Sequence, residues 1–550
     1  LVLVDGVRLQ SGRGHGAQTS LISVDRLESV QVDPGAGGAM SGSDALGGVV
    51  QLTTHRDLLA RERSLGLTLA THGADPGEEW SSLARLRYRS RAFGAELSGG
   101  LGGLTALVTP DGRVAHSGHR EQEVAARIEA RLGEATLDVE HQRHAAFHIG
   151  LPAFNSAAGS QATYPLQARD ADRLEFALPA SGARPLLKVL AVQQRFRTDY
   201  DEVTADSAMF RGRLIAIRTT DALDRITTWS RGVQPSIEFG ALRLNGEWRH
   251  ESTTGPRATA TTVRNAAGTV TSSTNTSGES IPPARRDVLS AAALTTLSLP
   301  WSARVDLGVR DEWMHSRADS TANSFTSALD VTDRRMTGEA GISMPVSGLT
   351  PYARVATGFR SPNLEERYFN DSVHGGMRVF GNPQLRAERS TTVEGGVRAA
   401  DLLGGLVREA RVSAYRSEVT DLVSLQYLEL VFGVPHFQYR NIARARLEGA
   451  EAQLAFQFGD VRVQTDVAAP RGHDLATGKP ITDIGAARAN LEARWLVPGP
   501  LHDAQLAVRA RWTDASGKGD PNVARPAFWT GAVELGFTAR QTRITATVRN

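Results

Sequence analysis

The chain has 550 residues, 41% apolar and 22% charged, with 62 basic and 60 acidic side chains, a net charge of +2 and no cysteine. No run approaches the ~20 apolar residues of a transmembrane helix, which excludes a helical membrane protein but not a barrel, whose strands need only ~9–11 residues each. The balanced charge, without a basic block, gives no nucleic-acid reading, and the lack of cysteine removes disulfides, thiol catalysis and thiolate metal sites. Length alone suggests about three or four soluble domains, unless strands are added around a single lumen.

In chain order, Leu1–Arg8 reads as a buried strand entering a turn at Asp5-Gly6, with Asp-Gly as the turn signal. Val24–Val32 reads as a short helical turn followed by a strand. Pro34–Gly48 is glycine-rich, and Val49–Thr54 is a further strand. These elements form a small α/β unit over residues 1–58, with a linker near Arg56–Ser64. Gly12-Arg-Gly-His-Gly16 looks like a phosphate loop but lacks the lysine and the following helix, so it is read as a loop at the apex of this unit.

From residue 59 onward, alternation with period two dominates. Leu242, Leu244 and Trp248 alternate with Arg243, Asn245, Glu247 and Arg249. Trp301, Ala303, Val305, Leu307 and Val309 alternate with Ser302, Arg304, Asp306 and Gly308. Leu506, Val508, Ala510 and Trp512 alternate with Gln505, Arg509 and Arg511. Such strands have two chemically distinct faces. A soluble β-sandwich shares this pattern, but here the polar set is rich in arginine and acids, as in a wet lumen lined by paired charges. Short turns also alternate with long polar stretches, at roughly 143–173, 251–288, 314–334, 360–390, 418–440, 467–486 and 513–527. The second of these is low in complexity and is expected to be a mobile outer loop. Aromatic residues are only 6% of the chain, so leucine, valine and alanine must carry much of the lipid-facing surface.

Three stretches resemble the TonB-dependent outer-membrane receptor family. The first combines Val2-Leu-Val-Asp-Gly-Val-Arg8, Val24-Asp-Arg-Leu-Glu-Ser-Val30 and Gly42-Ser-Asp-Ala-Leu-Gly-Gly-Val-Val50, and is similar to the end of the family's plug domain. Asp5, Gly6, Gly42, Ser43, Asp44, Gly47 and Gly48 carry that motif. The second runs from Tyr352–Phe359 through Arg360-Ser-Pro-Asn-Leu364 to Gly381-Asn-Pro-Gln-Leu-Arg-Ala-Glu-Arg-Ser390. The third is Ser413–Val423 with Tyr439-Arg-Asn441 and Leu447–Glu451. Asp33-Pro34-Gly35 and Ser41 depart from the family's usual Arg-Gly-Pro and tyrosine.

The resemblance implies an all-β membrane protein: an antiparallel barrel of about 22 strands with a small α/β plug in its lumen. Residues 1–58 would be the C-terminal part of the plug and 59–550 the barrel. The signal peptide, TonB box, early plug and last strand would lie outside this chain. It implies a monomer in the outer membrane of a Gram-negative bacterium, contacting lipid and energised by TonB with its inner-membrane complex. It implies no catalysis and no intrinsic cofactor. The cargo would be a scarce iron-containing ligand, a ferric siderophore, held by Arg360, Tyr368, Arg378 and Phe380. The alternative is haem, ligated by His374 within Asn370-Asp-Ser-Val-His374 and by His15 in the plug, since a neutral imidazole suits ferric iron. Cobalamin is a third cargo, and a passive porin-like channel shares the barrel pattern but not the plug. A soluble adhesin or a barrel-embedded hydrolase are further alternatives. The adhesin needs polar outward faces, and the hydrolase needs a Ser/His pair that the motifs do not supply.

Overall fold

The computed structural model describes all residues except 10–20, 36, 55–57, 76–77, 110, 153–160, 183, 320–328, 374–376, 432–433, 482–483, 500–501, 517–523 and 550. The first elements are short. Strands Val2–Val4 and Val7–Arg8 form a hairpin whose turn places Asp5 at φ 50° and Gly6 at φ 83°. Strand Gly48–Thr54 runs parallel to Val2–Val4 and antiparallel to Leu27–Pro34. A one-turn helix, Gly38–Ser41, precedes Gly42. The resulting four-stranded sheet pairs within itself.

From Ser64 onward the chain forms one closed antiparallel barrel. Among the described residues the ring links twenty-three strands. Two short ones, Asn370–Val373 and Met377–Phe380, form a hairpin within a connection, leaving twenty-one in the wall, because Leu349–Arg360 pairs directly with Glu388–Leu402. This is the large barrel with an N-terminal plug that the sequence leads one to expect.

Burial is inverted relative to a water-soluble protein. Leu65, Leu67 and Leu69 are 66–72% exposed, whereas Asp224, Glu312 and Arg169 are at most 4% exposed. Unpaired burial of such charges is prohibitively costly, so they line the inside as pairs. Arg127 lies 2.6 Å and Arg173 2.7 Å from Asp138. An apolar outside around a charged inside suits strands that cross lipid around a wet lumen. It removes the soluble adhesin reading, which requires polar outer faces. No described helix is long and apolar enough to cross a membrane.

The two rims differ. On one, strands are joined by tight turns such as Gly240–Ala241 and Gly459–Asp460, with both glycines at positive φ. On the other, the strands run on well past the lipid-crossing length. Here the structure corrects the sequence. Residues 251–288 are not a loose loop: Leu242–Asn265 and Val270–Ser298 stay paired up to Arg264 and Val270. Thr- and Ser-rich sequence needs no core there, because a hairpin ladder satisfies the backbone and β-branched threonine suits it. Residues 418–440 likewise lie mostly in the paired strands Val407–Val431 and Val434–Phe458. Trp301, read as the start of a strand, sits in a turn at φ 62° and is 85% exposed; the strand begins at Arg304.

Candidate functional site

The plug seats on the wall through its glycine-rich segment. Gly42 has φ 73°, and a Cβ there would lie 2.3 Å from Glu312 Oε2 and 2.8 Å from Arg310 Nε. Only a residue without a side chain allows that approach. The next residues bond the wall strand Leu349–Arg360 and the start of the loop beyond it. The Asp44 amide donates to the Phe359 carbonyl at 3.1 Å, and the Ser361 amide donates to Ser43 Oγ at 3.3 Å. Asp5 holds the end of the last plug strand, accepting from the Thr54 amide at 3.0 Å and its hydroxyl at 2.8 Å. The Gly47 carbonyl accepts from the Gly35 amide, and Gly48, at φ 142°, opens the last plug strand. The plug-motif residues are therefore structural, closing the sheet and seating it.

A buried charge network fixes this seat. Arg8 lies 3.2 Å from Asp44 within the plug and 3.7 Å from Glu247 of the wall. Glu247 is also paired with Arg310 at 2.6 Å and Arg249 at 3.3 Å, and Arg310 with Glu312 at 2.9 Å. On the far side Arg26 reaches Glu140 at 2.8 Å. A cluster of Val4, Leu9, Leu21 and Leu52 closes around wall residue Phe196. A cavity of about 690 Å³ separates the plug from the wall at the tight-turn rim, bordered by Asp33, Glu238, Arg243 and Arg354.

The long connection after Arg360 is the second component. Asn363 caps the helix Leu364–Tyr368 through a reciprocal capping box with Glu366. Arg360 bonds Glu366 at 2.8 and 2.9 Å and Glu388 at 2.6 and 2.8 Å. Arg367, fully buried, donates to Asp333 at 3.0 Å and to the Pro383 carbonyl at 3.1 Å. The Asn382 side chain donates to the Tyr439 carbonyl at 3.1 Å. The connection is thus bolted to the rim at both ends.

Two of the residues expected to touch ligand are engaged by the protein itself. Arg360 is held by two carboxylates. Tyr368 has no exposed surface and packs with Ile226, Ile281, Phe369, Leu385 and Tyr439, burial pushing its phenol above its usual range. Arg378 and Phe380 do come together. The guanidinium lies 5.3 Å from the Phe380 ring centre, and the ring meets His436 edge-on at 5.3 Å. Their strand runs parallel to residues 436–438. His436 and the neighbouring Tyr427–Phe437 pair are rim residues that the sequence did not single out. No local motif marks them, because a pairing across nearly sixty positions brings them in. His374 and His15 lie outside the described residues. Among the described residues no three His, Asp or Glu side chains are arranged to hold a metal ion.

A membrane barrel whose lumen is stoppered by its own N-terminal sheet is a gated receptor architecture, distinct from an open pore. The chain belongs to the TonB-dependent receptor family. The family model described as TonB dependent receptor-like, beta-barrel, matches residues 142–550, and that of the TonB-dependent Receptor Plug Domain matches residues 1–49. It is a family of receptors and transporters, not of enzymes. Among curated relatives, the Heme/hemopexin utilization protein C of Haemophilus influenzae (strain 86-028NP) is 26% identical over 159 residues, 26% of this chain and 22% of that protein. The Vitamin B12 transporter BtuB of Vibrio vulnificus (strain YJ016) is 44% identical over 54 residues, 10% of this chain and 9% of that protein. The matched stretches thus span less than a quarter of those relatives' own length. Among solved structures, the copper transporter OprC superposes with a TM-score of 0.77 at 14% identity, covering 100% of this chain and 84% of that one. The Serratia marcescens hemophore receptor HasR gives 0.72 at 15% identity, covering 100% and 87%. The Yersinia pestis ferric yersiniabactin receptor FyuA gives 0.71 at 13%, covering 100% and 83%. At such identities these likenesses establish the fold.

Proposed function

We propose that this chain is the plug-and-barrel part of an outer-membrane receptor that takes up a ferric siderophore, energised through TonB. The observation that carries the transport reading is the seat of the plug. Ser43 and Asp44 rest on the end of the strand that becomes the 361–387 connection, the Asp44 amide on Phe359 and Ser43 on Ser361, while Gly42 packs on the neighbouring wall residues Arg310 and Glu312. A ligand that shifts this connection therefore acts on the plug through one hydrogen-bonded contact. The plug is held by ion pairs, hydrogen bonds and one small apolar cluster around Phe196, with no covalent link beyond the chain itself, so a mechanical pull can release it. Arg378 stacked on Phe380 at the rim supplies a cation beside an aromatic face, suited to an anionic, aromatic chelate. Membership of the family supports TonB as the partner and the outer membrane as the location, and a monomer is part of the same reading.

Haem is the second reading. It is favoured by the stretch shared with a protein named for haem and hemopexin utilization and by His436 against Phe380 at the rim, with His374 and His15 as the axial ligands the sequence suggests.

Growth of a strain carrying only the full-length form of this receptor, on defined iron sources, separates the two. Growth on ferric siderophore but not haem supports the first reading. Growth on haem, with a Soret shift of the purified receptor that weakens in His374→Ala, replaces it with the second. Failure to grow on any iron source ends the iron reading.

A further inference from the structure

The outward face of the wall holds a cationic field that plug and ligand do not use. On the strands Glu388–Leu402, Val407–Val431, Val434–Phe458 and Val461–Asp474, the register aligns same-face residues in rows. Toward the tight-turn rim lies a row of Val397, Val412, Ala452 and Val467, and above it Gly395, Ala414, Ala450 and Ala469. These rows face outward: Val412 is 52% and Val467 42% exposed, while the intervening Ser413 and Ser417 are buried inward.

The next row is Val393, Arg416, Glu448 and Arg471. Then come Thr391, Glu418, Arg446 and His473, followed by Arg389, Thr420 and Arg444. Arg440 lies two rows further up. Each row is a step of about 7 Å along the strand. The face therefore changes from wholly small and apolar to strongly basic within one step.

The basic rows are not neutralised from within. Six arginines face two glutamates. Glu418 alone is shared by Arg416 at 3.3 Å, Arg444 at 3.2 Å and Arg446 at 3.5 Å. Arg446 Nε is buried without a hydrogen-bond partner. Elsewhere on the outer face, Arg143 has Asp170 to itself at 2.6 Å and Arg334 has Asp311 at 2.7 Å, while Arg317 shares Asp330, at 3.0 Å, with His315.

We propose that this face binds the phosphate-bearing headgroup of a lipid in the outer leaflet, gripped chiefly by Arg416, Arg444 and Arg446. Guanidinium forks match phosphate oxygens bidentately, and basic side chains bordering an apolar span attract anionic headgroups. The field faces sideways, directly over the lipid-facing rows, which is where a headgroup lies and where a soluble anion or acidic protein is kept away. The inference rests on the outer-membrane reading above.

The test compares the wild-type chain, the triple variant Arg416→Gln/Arg444→Gln/Arg446→Gln, and Arg334→Gln as an outward-facing control. Each is reconstituted in phosphatidylcholine bilayers doped with bis-phosphorylated lipid A or with its dephosphorylated form. Lipid co-retained after gentle extraction is counted by native mass spectrometry. The expected result is selective retention of the phosphorylated lipid by wild type and control, reduced about tenfold or more in the triple variant. Equal retention by wild type and the triple variant overturns the proposal, as does equal retention of the two lipid forms. If the triple variant does not fold, Arg444→Gln alone, with a 59% exposed side chain, carries the same comparison with a smaller drop. A wild-type chain that fails to enter bilayers at all overturns instead the membrane reading beneath the proposal.

Discussion

At the scale of single residues, the seat of the plug turns on atoms that have no room to move. Gly42 is the sharpest case. A methyl group there would fall 2.3 Å from a Glu312 oxygen, on a backbone at φ 73° that L-residues adopt with strain. Glu312 is itself 1% exposed and paired with Arg310, so it cannot step aside without breaking that pair. Gly42→Ala should therefore loosen the seat by about 2 kcal/mol or more. Amide exchange over residues 38–50 should accelerate while the wall strands stay protected; unchanged exchange there would show that the contact is soft. Glu247 is the second case, a carboxylate shared by Arg8 of the plug and Arg249 and Arg310 of the wall. Glu247→Gln leaves buried guanidiniums under-compensated, at a cost of about 3–5 kcal/mol. Because Arg8 reaches Glu247 only at 3.7 Å, a double-mutant cycle with Arg8→Gln decides whether that contact matters. A coupling of about 0.5 kcal/mol or more in plug protection is expected, and additive effects would leave Asp44 as the partner that holds Arg8.

At the scale of elements, the connection between Leu349–Arg360 and Glu388–Leu402 works as a braced strap. Its short helix has two terminal donors satisfied by one residue pair, Asn363 and Glu366. Asn363→Ala removes the cap at a cost of about 0.5–2 kcal/mol. The expected readout is faster exchange at residues 364–369 and weaker ligand binding, both restored by Asn363→Asp; exchange that does not change would mean the ion pairs of Arg360 and Arg367 hold the helix alone. The ends of this strap were legible in the sequence. Arg360-Ser-Pro362 and Gly381-Asn-Pro383 are local breakers, and proline at a strand end stops the ladder wherever it occurs. What lies between was not legible. Tyr368 reads as a polar, ligand-ready residue in a loop, but its neighbours Ile226, Ile281 and Tyr439 come from strands more than seventy positions away. Its burial is set by barrel closure, which no window of sequence contains. The 251–288 stretch failed for the opposite reason. Low complexity argues against a core, yet a hairpin that prolongs two existing wall strands inherits their register and needs none. The alternation that defined the wall was legible throughout, because lipid on one side and a charged lumen on the other impose it residue by residue.

At the scale of the whole molecule, the two bodies depend on each other unequally. Every described wall strand finds its ladder partners in other wall strands, while the plug sheet pairs only within itself. The plug needs the wall: Phe196 completes its small core, and Glu140, Glu247 and Glu312 receive its basic and glycine-rich edges. The wall needs the plug only to balance some inward charge, which lumen water can also do. Removing residues 1–58 should therefore leave a barrel that still folds and inserts, with the same heat-dependent shift in electrophoretic mobility as the full chain. It should also open a water-filled path through a wall of twenty-one strands, since barrels of ~16–18 strands already leave an aqueous channel. In planar bilayers the truncated chain should give large, steady conductance steps where the full chain is nearly silent. Comparable conductance from both would mean that the plug does not seal the lumen, and the receptor reading would give way to an open channel. Silence from a truncated chain that had demonstrably inserted would mean that the wall collapses without its plug, and that the ionic seat supports the barrel as well as the gate.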